Sequence, residues 1–472
     1  LIDNTTITRI IEASNHVSTT MQPINPDVFK AYDVRGLYPQ EVTEDLFRQL
    51  GRAFVAFLGP GRFAVTRDMR LSSPSLSQAF IEGAVAQGGQ IVDYGLAGTD
   101  MMYFAVAADG LDGGAQITAS HNPKQYNGCK LVRKEAFPLS GESGIKEMKE
   151  MILGGTLPPP EGTPGPVERG EMLARYVDHV MTFIDEALIK PFNVVLDAGS
   201  GVAGFIAPPM FDRLPCKTTR LCFKVDGTFP NHEANPLIEG NRRDITERVV
   251  AERADIGIAW DGDADRCFFI DGSGEFIAGD FVTALLAESF LMKHPGQTII
   301  YDVRASYAVK DIVARYHGRA LMNRVGHAFI KRRMREENAI FGGEVTGHYY
   351  FRDNFYADNG FIPALLILEL MSQKGQSLRD LLRPLREKYF ISGEINTKLK
   401  SIDLAAEKIE LLAREYSHGN VYRLDGISAE FDDWHFNVRA SNTEPLLRLN
   451  LEGLTPEIME TRRDELLGLI RG

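Results

Sequence analysis

Strand-length apolar runs alternate with helix-period segments along most of this chain, and that alternation restricts it to layered α/β domains. Phe63 to Asp68 reads as one such strand. Ser73 then suits a helix N-cap with Pro74 in the first turn, and Leu76, Phe80, Ile81 and Ala84 supply the apolar stripe that Gly88 and Gly89 end. Comparable strand-then-helix units begin at Asn193, Thr298 and Ile340. No short-period repeat is present, which disfavours solenoids and propellers. At roughly 150 residues per domain, the 472 residues correspond to about three domains.

Two stretches interrupt the alternation. Pro158, Pro159, Pro160, Glu161, Gly162, Thr163, Pro164, Gly165 and Pro166 cannot continue a helix or a central strand, so a domain boundary is expected there. A second joint is expected at Tyr389 to Glu394. Beyond it Trp434, Phe436 and Val438 alternate with His435, Asn437 and Arg439, and Leu447, Leu449 and Leu451 with Arg448, Asn450 and Glu452. These are the marks of half-buried antiparallel strands, closed by a helix capped at Thr455 ahead of Pro456: a small α+β domain.

Charge limits the partners. Lys and Arg total 52 against 64 Asp and Glu, a net −12 without a basic stripe, so a nucleic-acid partner is excluded. No window approaches the ~20 apolar residues of a membrane span, and residues 1–20 lack the basic start and apolar run of a signal peptide. Cys129, Cys216, Cys222 and Cys267 form no C-x-x-C pair, as expected of a cytoplasmic chain. Met21 reads as a start, with the preceding segment an extension.

The strongest chemical signal is Ala259-Trp260-Asp261-Gly262-Asp263-Ala264-Asp265-Arg266, set between apolar Ile256 and Ile258 and the run Cys267 to Ile270. Three carboxylates on a turn between two buried strands repel one another unless a cation offsets them, and a hard divalent ion such as Mg²⁺ fits. An EF-hand does not, because its sixth and twelfth positions hold Arg266 and Gly272. The bland reading is a solvated acidic turn. A second signal, Ile117-Thr118-Ala119-Ser120-His121-Asn122-Pro123, followed by Asn127, Gly128 and Lys130, places a serine at a strand end. Ser120 reads either as a presented hydroxyl or as a turn residue. No G-x-S-x-G or H-E-x-x-H surrounds these sites, which disfavours serine and zinc hydrolases.

Gly199, Gly201 and Gly204, with Asp226 further on, imitate a dinucleotide fingerprint, yet any glycine-rich strand-to-helix turn produces that pattern. Gly342-Gly343-Glu344-Val345-Thr346-Gly347-His348 carries an acid, a hydroxyl and an imidazole suited to sugar hydroxyls. Arg439-Ala440-Ser441-Asn442-Thr443-Glu444-Pro445, with Arg448, offers the guanidinium groups and small donors of a phosphate pocket.

Together with Phe29-Lys30-Ala31-Tyr32-Asp33-Val34-Arg35-Gly36, these motifs resemble, in order, those of the α-D-phosphohexomutase family and its bacterial phosphomannomutase/phosphoglucomutase branch, over residues 29–448. The resemblance implies a four-domain phosphohexomutase architecture: three α/β mixed-sheet domains (21–165, 166–274 and 275–388) and a smaller C-terminal α+β domain (389–472) around a central cleft. It implies a phosphoserine at Ser120, Mg²⁺ held by Ser120, Asp261, Asp263 and Asp265, and His121, Lys130, Arg35 and His348 as catalytic candidates. Tyr32, Arg266, Arg304, His327, Glu344, Thr346, Arg439, Ser441, Asn442, Thr443 and Arg448 become substrate-binding candidates, with Glu344 and Thr346 reading sugar hydroxyls. The implied reaction interconverts hexose 1-phosphate and 6-phosphate through a hexose 1,6-bisphosphate, in a monomer or homodimer. Thr346 stands where many members have Ser, Arg324-Val325-Gly326-His327 where Lys-Thr-Gly-His is usual, and Arg304 where Lys is frequent. Phosphoglucosamine mutase is the nearest alternative within the family. A haloacid-dehalogenase-type phosphotransferase with Asp261 as nucleophile is a rival outside it, disfavoured because Ala264 follows Asp263.

Overall fold

The structure, a computed structural model, describes residues 24–160, 163–401, 403–440 and 445–472. Its first sheet holds β1 (Val34–Leu37), β2 (Arg62–Arg67), β3 (Gln90–Leu96), β4 (Gly113–Ile117), β5 (Tyr126–Arg133), β6 (Phe137–Pro138) and β7 (Val167–Arg169), in the order β1-β5-β4-β2-β3-β7 with β6 beside β5. The second holds β8 (Asn193–Asp197), β9 (Lys217–Leu221), β10 (Ile256–Trp260) and β11 (Cys267–Asp271), ordered β11-β10-β8-β9. The third holds β12 (Thr298–Asp302), β13 (Arg319–Asn323), β14 (Phe341–Gly343), β15 (Tyr349–Phe351) and β16 (Ala357–Asp358), ordered β13-β12-β14-β15-β16.

These three sheets repeat one plan. A central strand, β2, β8 or β12, lies between two parallel partners, and one of them, β4, β10 or β14, turns back into an antiparallel neighbour, β5, β11 or β15. The repeat is the size of a domain, so no short sequence period reports it. The fourth sheet differs: β17 (Phe390–Ile391), β18 (Ile395–Lys398), β19 (Asn420–Tyr422), β20 (Ile427–Glu430), β21 (Trp434–Ala440) and β22 (Leu446–Gly453) pair antiparallel throughout.

Local expectations meet the structure unevenly. Leu76, Phe80, Ile81 and Ala84 are buried as their spacing requires, on a helix spanning Ser73–Ala86. Ser72, not Ser73, occupies the N-cap position; the Ser73 hydroxyl donates to Asp68 and accepts from Asn127 Nδ2 at 3.0 Å, so it accepts no N–H of its own helix. That helix lies against Glu44–Leu58 so closely that a Cβ on Gly83 would come within 1.9 Å of the Arg48 carbonyl oxygen. Only glycine permits such an approach. The unit at Ile340 is a strand and a hairpin before its helix, Ile362–Lys374, begins. Residues 167–169, beyond the proline-rich joint, still pair with β3, so the chain leaves the first sheet after Arg169.

One apolar cluster runs from Val92 and Tyr103 through Trp260 to Phe361 and Leu385, joining the first three domains, while Trp434, Phe436, Leu449 and Leu466 form a separate core in the fourth. In β21 the predicted polar face is buried too. His435 lies against the ring of Tyr307 at 4.1 Å, and Asn437 Nδ2 donates to the Asp425 carbonyl at 2.8 Å and to Ser428 Oγ at 3.0 Å. Tyr307 of the third domain covers His435, while Asn437 is held by partners within the fourth domain itself. Among the described residues no helix is long and apolar enough to cross a membrane.

Candidate active site

The repeated plan has a direct chemical consequence. The Ser120 loop joins β4 to β5, the aspartate loop joins β10 to β11, and the Glu344 loop joins β14 to β15. Each motif is the hairpin that follows the same strand of its repeat, at the carboxyl ends of parallel strands where open α/β sheets bind ligands.

Ser120 has φ +50, in the left-handed region that ordinary residues avoid, and is buried. Its hydroxyl donates to Asp261 Oδ2 at 2.8 Å and lies 3.2 Å from His121 Nδ1. Asp261, Asp263 and Asp265 are buried, with one oxygen of each within 4.8 Å of the others. Lys130 Nζ donates to Asp263 Oδ2 at 2.7 Å and Asp265 Oδ2 at 2.5 Å. Burial opposes the ammonium charge, but the three carboxylates outweigh it and raise Lys130 above its ordinary pKa. Burial also opposes ionisation of Asp263, yet Lys130 holds that carboxyl below its usual range. Burial, reinforced by Asp263 and Asp265, pushes Asp261 well up.

Asp263 Oδ1 and Asp265 Oδ1 are buried without a hydrogen-bond partner among the described residues. Buried carboxylate oxygens without donors, in a cluster of three carboxylates, fit a hard cation such as Mg²⁺. Arg266 stands beside them, its Nε 3.7 Å from Asp261 Oδ2.

Ser120, Lys130 and Arg266 face a cavity of about 190 Å³ that Tyr32, Arg35, His327 and His348 also line. Arg35 donates to Asp33 Oδ2 at 2.5 Å and to Asn122 Oδ1 at 2.8 Å. His348 Nδ1 lies 3.1 Å from Asp358 Oδ2, and Asp358 is paired at 2.6 Å with the buried Lys331. Burial pushes the His121 imidazole down, with Arg266 and Arg35 adding to the effect, and burial with Lys331 does the same to His327.

Arg304 and Thr346 line a second cavity, of about 430 Å³, where the third and fourth domains meet Leu237 and Arg242 of the second. Glu394 gathers three guanidinium groups there: Arg439 donates to it at 3.0 Å, and Arg304 and Arg448 lie at 3.5 Å. Glu344 is not open to a ligand in this arrangement, since its carboxylate accepts the Gly326 N–H at 3.0 Å and the Tyr350 hydroxyl. Ser441, Asn442 and Thr443 lie outside the described residues. A larger cavity of about 800 Å³, lined by Tyr307, Tyr389 and Trp434 among others, holds none of the motif residues.

Gly199, Gly201 and Gly204 serve close packing. A Cβ on Gly201 would come within 2.7 Å of the Gly262 carbonyl oxygen, and one on Gly204 within 2.3 Å of that of Phe223. Asp226 accepts from Thr228 N and Oγ1 in a turn. Sequence reasoning missed Glu394, Asp358 and two buried ion pairs, Asp68 with Arg70 and Asp302 with Arg304. Their signal was available: Asp-x-Arg stands at the end of a strand in both places.

Sequence-family models for phosphoglucomutase/phosphomannomutase match in four consecutive parts: alpha/beta/alpha domain I at residues 26–155, II at 174–274, III at 278–389 and the C-terminal domain at 394–469. The chain belongs to that family. As a phosphoglucomutase/phosphomannomutase family member it is a mutase, an isomerase acting as a phosphohexomutase, and four domains replace the three suggested by length. It is 43% identical over 446 residues to the "Phosphohexose mutases" protein of Xanthomonas campestris, covering 94% of this chain and 99% of the relative. It is 42% identical over 457 residues to a phosphomannomutase of Escherichia coli, with the same coverage of 94% and 99%. A phosphoglucomutase/phosphomannomutase family protein of Burkholderia thailandensis superposes with a TM-score of 0.86 at 31% identity, covering 95% of this chain and 98% of that one.

Proposed function

We propose that this phosphohexomutase interconverts mannose or glucose 1-phosphate and the matching 6-phosphate, with Ser120 as the carrier of the transferred phosphoryl group. The observation that carries the reading is the Ser120 hydroxyl, 2.8 Å from Asp261 and beside three buried carboxylates that Lys130 only partly neutralises. A phosphoserine brings about −1.5 to −2 charge into that place. Asp261, Asp263 and Asp265, with a Ser120 phosphoryl oxygen, would hold Mg²⁺, which when bound supplies the positive charge that phosphoryl transfer needs.

The chain's own groups divide the remaining work. Arg266 neutralises phosphoryl oxygens. Lys130 orients Asp263 and Asp265 by donating a hydrogen bond to each. His348, with Asp358 beside Nδ1, is the group that moves the sugar hydroxyl's proton, and Arg35 steers the hydroxyl. Arg304, Arg439 and Arg448 hold the phosphate that is not reacting, alongside Ser441, Asn442 and Thr443. Glu344 reads the sugar by exchanging the Gly326 N–H and the Tyr350 hydroxyl for sugar hydroxyls as the fourth domain closes, with Thr346 at its side. After one transfer the hexose 1,6-bisphosphate turns end for end and its other phosphate restores Ser120. Nothing in this scheme reads C2, where glucose and mannose differ. Small sugar phosphates are the ligands and the cytoplasm the site of action.

The test is a panel of mannose, glucose and glucosamine 1-phosphates with Mg²⁺ and catalytic hexose 1,6-bisphosphate. Turnover of the first two supports the reading; turnover of the glucosamine ester alone replaces it with phosphoglucosamine mutase. A phosphoenzyme cleaved by hydroxylamine, or full turnover by Ser120→Ala, would remove Ser120 from its role.

A further inference from the structure

Asp68 and Arg70 directly follow β2 and are 0% and 1% exposed, so neither reaches the cavity or a ligand in it. Arg70 Nε donates to Asp68 Oδ2 at 3.1 Å. Its Nη1 donates to the carbonyls of Pro123 at 2.8 Å and Tyr126 at 3.0 Å, and its Nη2 to those of Ser120 at 2.8 Å and Asn122 at 2.6 Å. Every nitrogen of the guanidinium is engaged, and four of its bonds end on the backbone of the loop that presents Ser120.

Asp68 completes the ring. Its Oδ2 accepts the Thr118 hydroxyl at 2.8 Å, and Thr118 Oγ1 accepts the Ser120 N–H at 2.8 Å. Its Oδ1 accepts the Arg70 N–H at 2.9 Å and the Ser73 hydroxyl. Both peptide groups of Ser120 therefore lead to one ion pair, the carbonyl directly and the N–H through Thr118. Ser120 holds φ +50, which a non-glycine residue keeps only where the surroundings over-determine it.

The third domain contains the same device aimed differently. Arg304 also donates N and Nε to the aspartate two residues before it, and Asp302 Oδ2 also accepts from the hairpin loop, at Val345 N. There, however, Nη1 faces Glu394 across a domain boundary. The copy in the first domain instead turns both Nη1 and Nη2 onto the hairpin that presents Ser120.

We propose that Arg70, anchored by Asp68, is the positioning residue that fixes the Ser120 backbone and so aims its hydroxyl at Asp261. The proposal rests on the reading of Ser120 as the phosphoryl carrier. Arg70→Lys separates positioning from charge, since an ammonium keeps the ion pair with Asp68 but cannot span four carbonyls. In the full chain, Arg70→Lys is expected to lose about 100-fold in kcat, the scale of a misplaced reacting group, while KM for the hexose 1-phosphate stays within about twofold. Amide hydrogen exchange of residues 118–128 is expected to accelerate while that of β10 and β11 does not change. Thr118→Val, which severs only the N–H arm, is expected to move the same observables less. Wild-type kcat in Arg70→Lys overturns the proposal, as does equal loosening of both segments in the two variants, which would mark Arg70 as a fold residue only. Wild-type exchange of residues 118–128 in Arg70→Lys defeats the clamp alone. Absence of mutase turnover in the unmodified protein defeats the functional reading instead, and the role assigned to Arg70 with it.

Discussion

Gly262, between two of the loop aspartates, offers a test of how tightly the two loops are matched. A Cβ placed there would meet the Ser120 carbonyl oxygen at 2.6 Å, whereas ordinary contact begins at 3.4 Å. The loops must separate by about 0.8 Å in Gly262→Ala. The carbonyl cannot simply retreat, because Arg70 Nη2 holds it at 2.8 Å. If the strain falls on the Ser120–Asp261 contact, that 2.8 Å hydrogen bond lengthens past the distance at which it counts as one. Losing a hydrogen bond to a charged group costs about 1.5–3 kcal/mol, or about 10- to 100-fold in rate if the bond is needed in the transition state. The backbone at Gly262 is not left-handed, so alanine adds no conformational strain there. The assay is kcat at saturating hexose 1-phosphate, Mg²⁺ and hexose 1,6-bisphosphate, with the thermal midpoint followed in parallel. Gly240→Ala is the control, since a Cβ there meets nothing within 4 Å. Wild-type turnover in Gly262→Ala would refute the idea that this interface sets the rate.

Glu394→Gln frees Arg304, Arg439 and Arg448 for a phosphate; at about 0.5 kcal/mol for each partly exposed pair, KM should fall about tenfold, and a raised KM would count against competition. Asp263→Asn removes one carboxylate charge from the cation site and weakens the Lys130 contact, so the Mg²⁺ concentration for half-maximal rate should rise at least about tenfold; an unchanged Mg²⁺ dependence would take Asp263 out of the metal set. In the second domain Asp197 takes His232 as partner at 3.0 Å, and although burial opposes the imidazolium, the hydrogen bond to Asp197 raises His232 from 6.5 to about 11. The folded state then binds a proton that the unfolded chain releases. The resulting stability is complete below pH 6.5 and is lost as pH rises towards about 11. His232→Gln should flatten that alkaline decline in urea midpoints, and identical slopes in the two proteins would rule the pair out as its source.

The aspartate loop was legible because apolar runs on both sides leave a turn as the only place for three carboxylates, and β10 and β11 occupy those runs. The buried stripe of helix Ser73–Ala86 was legible for the same reason: period reports which side of an element is covered. Period is silent about what does the covering. His435 and Asn437 alternate like solvent-facing residues, yet the fourth domain turns them inward, with His435 against Tyr307 of the third. Ser73 has the composition of a cap, but a competing carboxylate from a strand end takes its hydroxyl.

Sequence by itself determined the elements, the acidic loop, the family-like order of motifs and a net charge of −12. It left undecided how one negative chain assembles a site for a small anion. Tertiary structure decided that by using one strand plan three times, so that Ser120, Asp261 and Glu344 each occupy the hairpin after the same strand of their repeat. It also decided that Arg70 closes on carbonyls 50 to 56 residues away and that Glu394 draws three arginines together. Such contacts join backbone atoms and charges remote along the chain, and a one-dimensional pattern of residue types does not encode those distances.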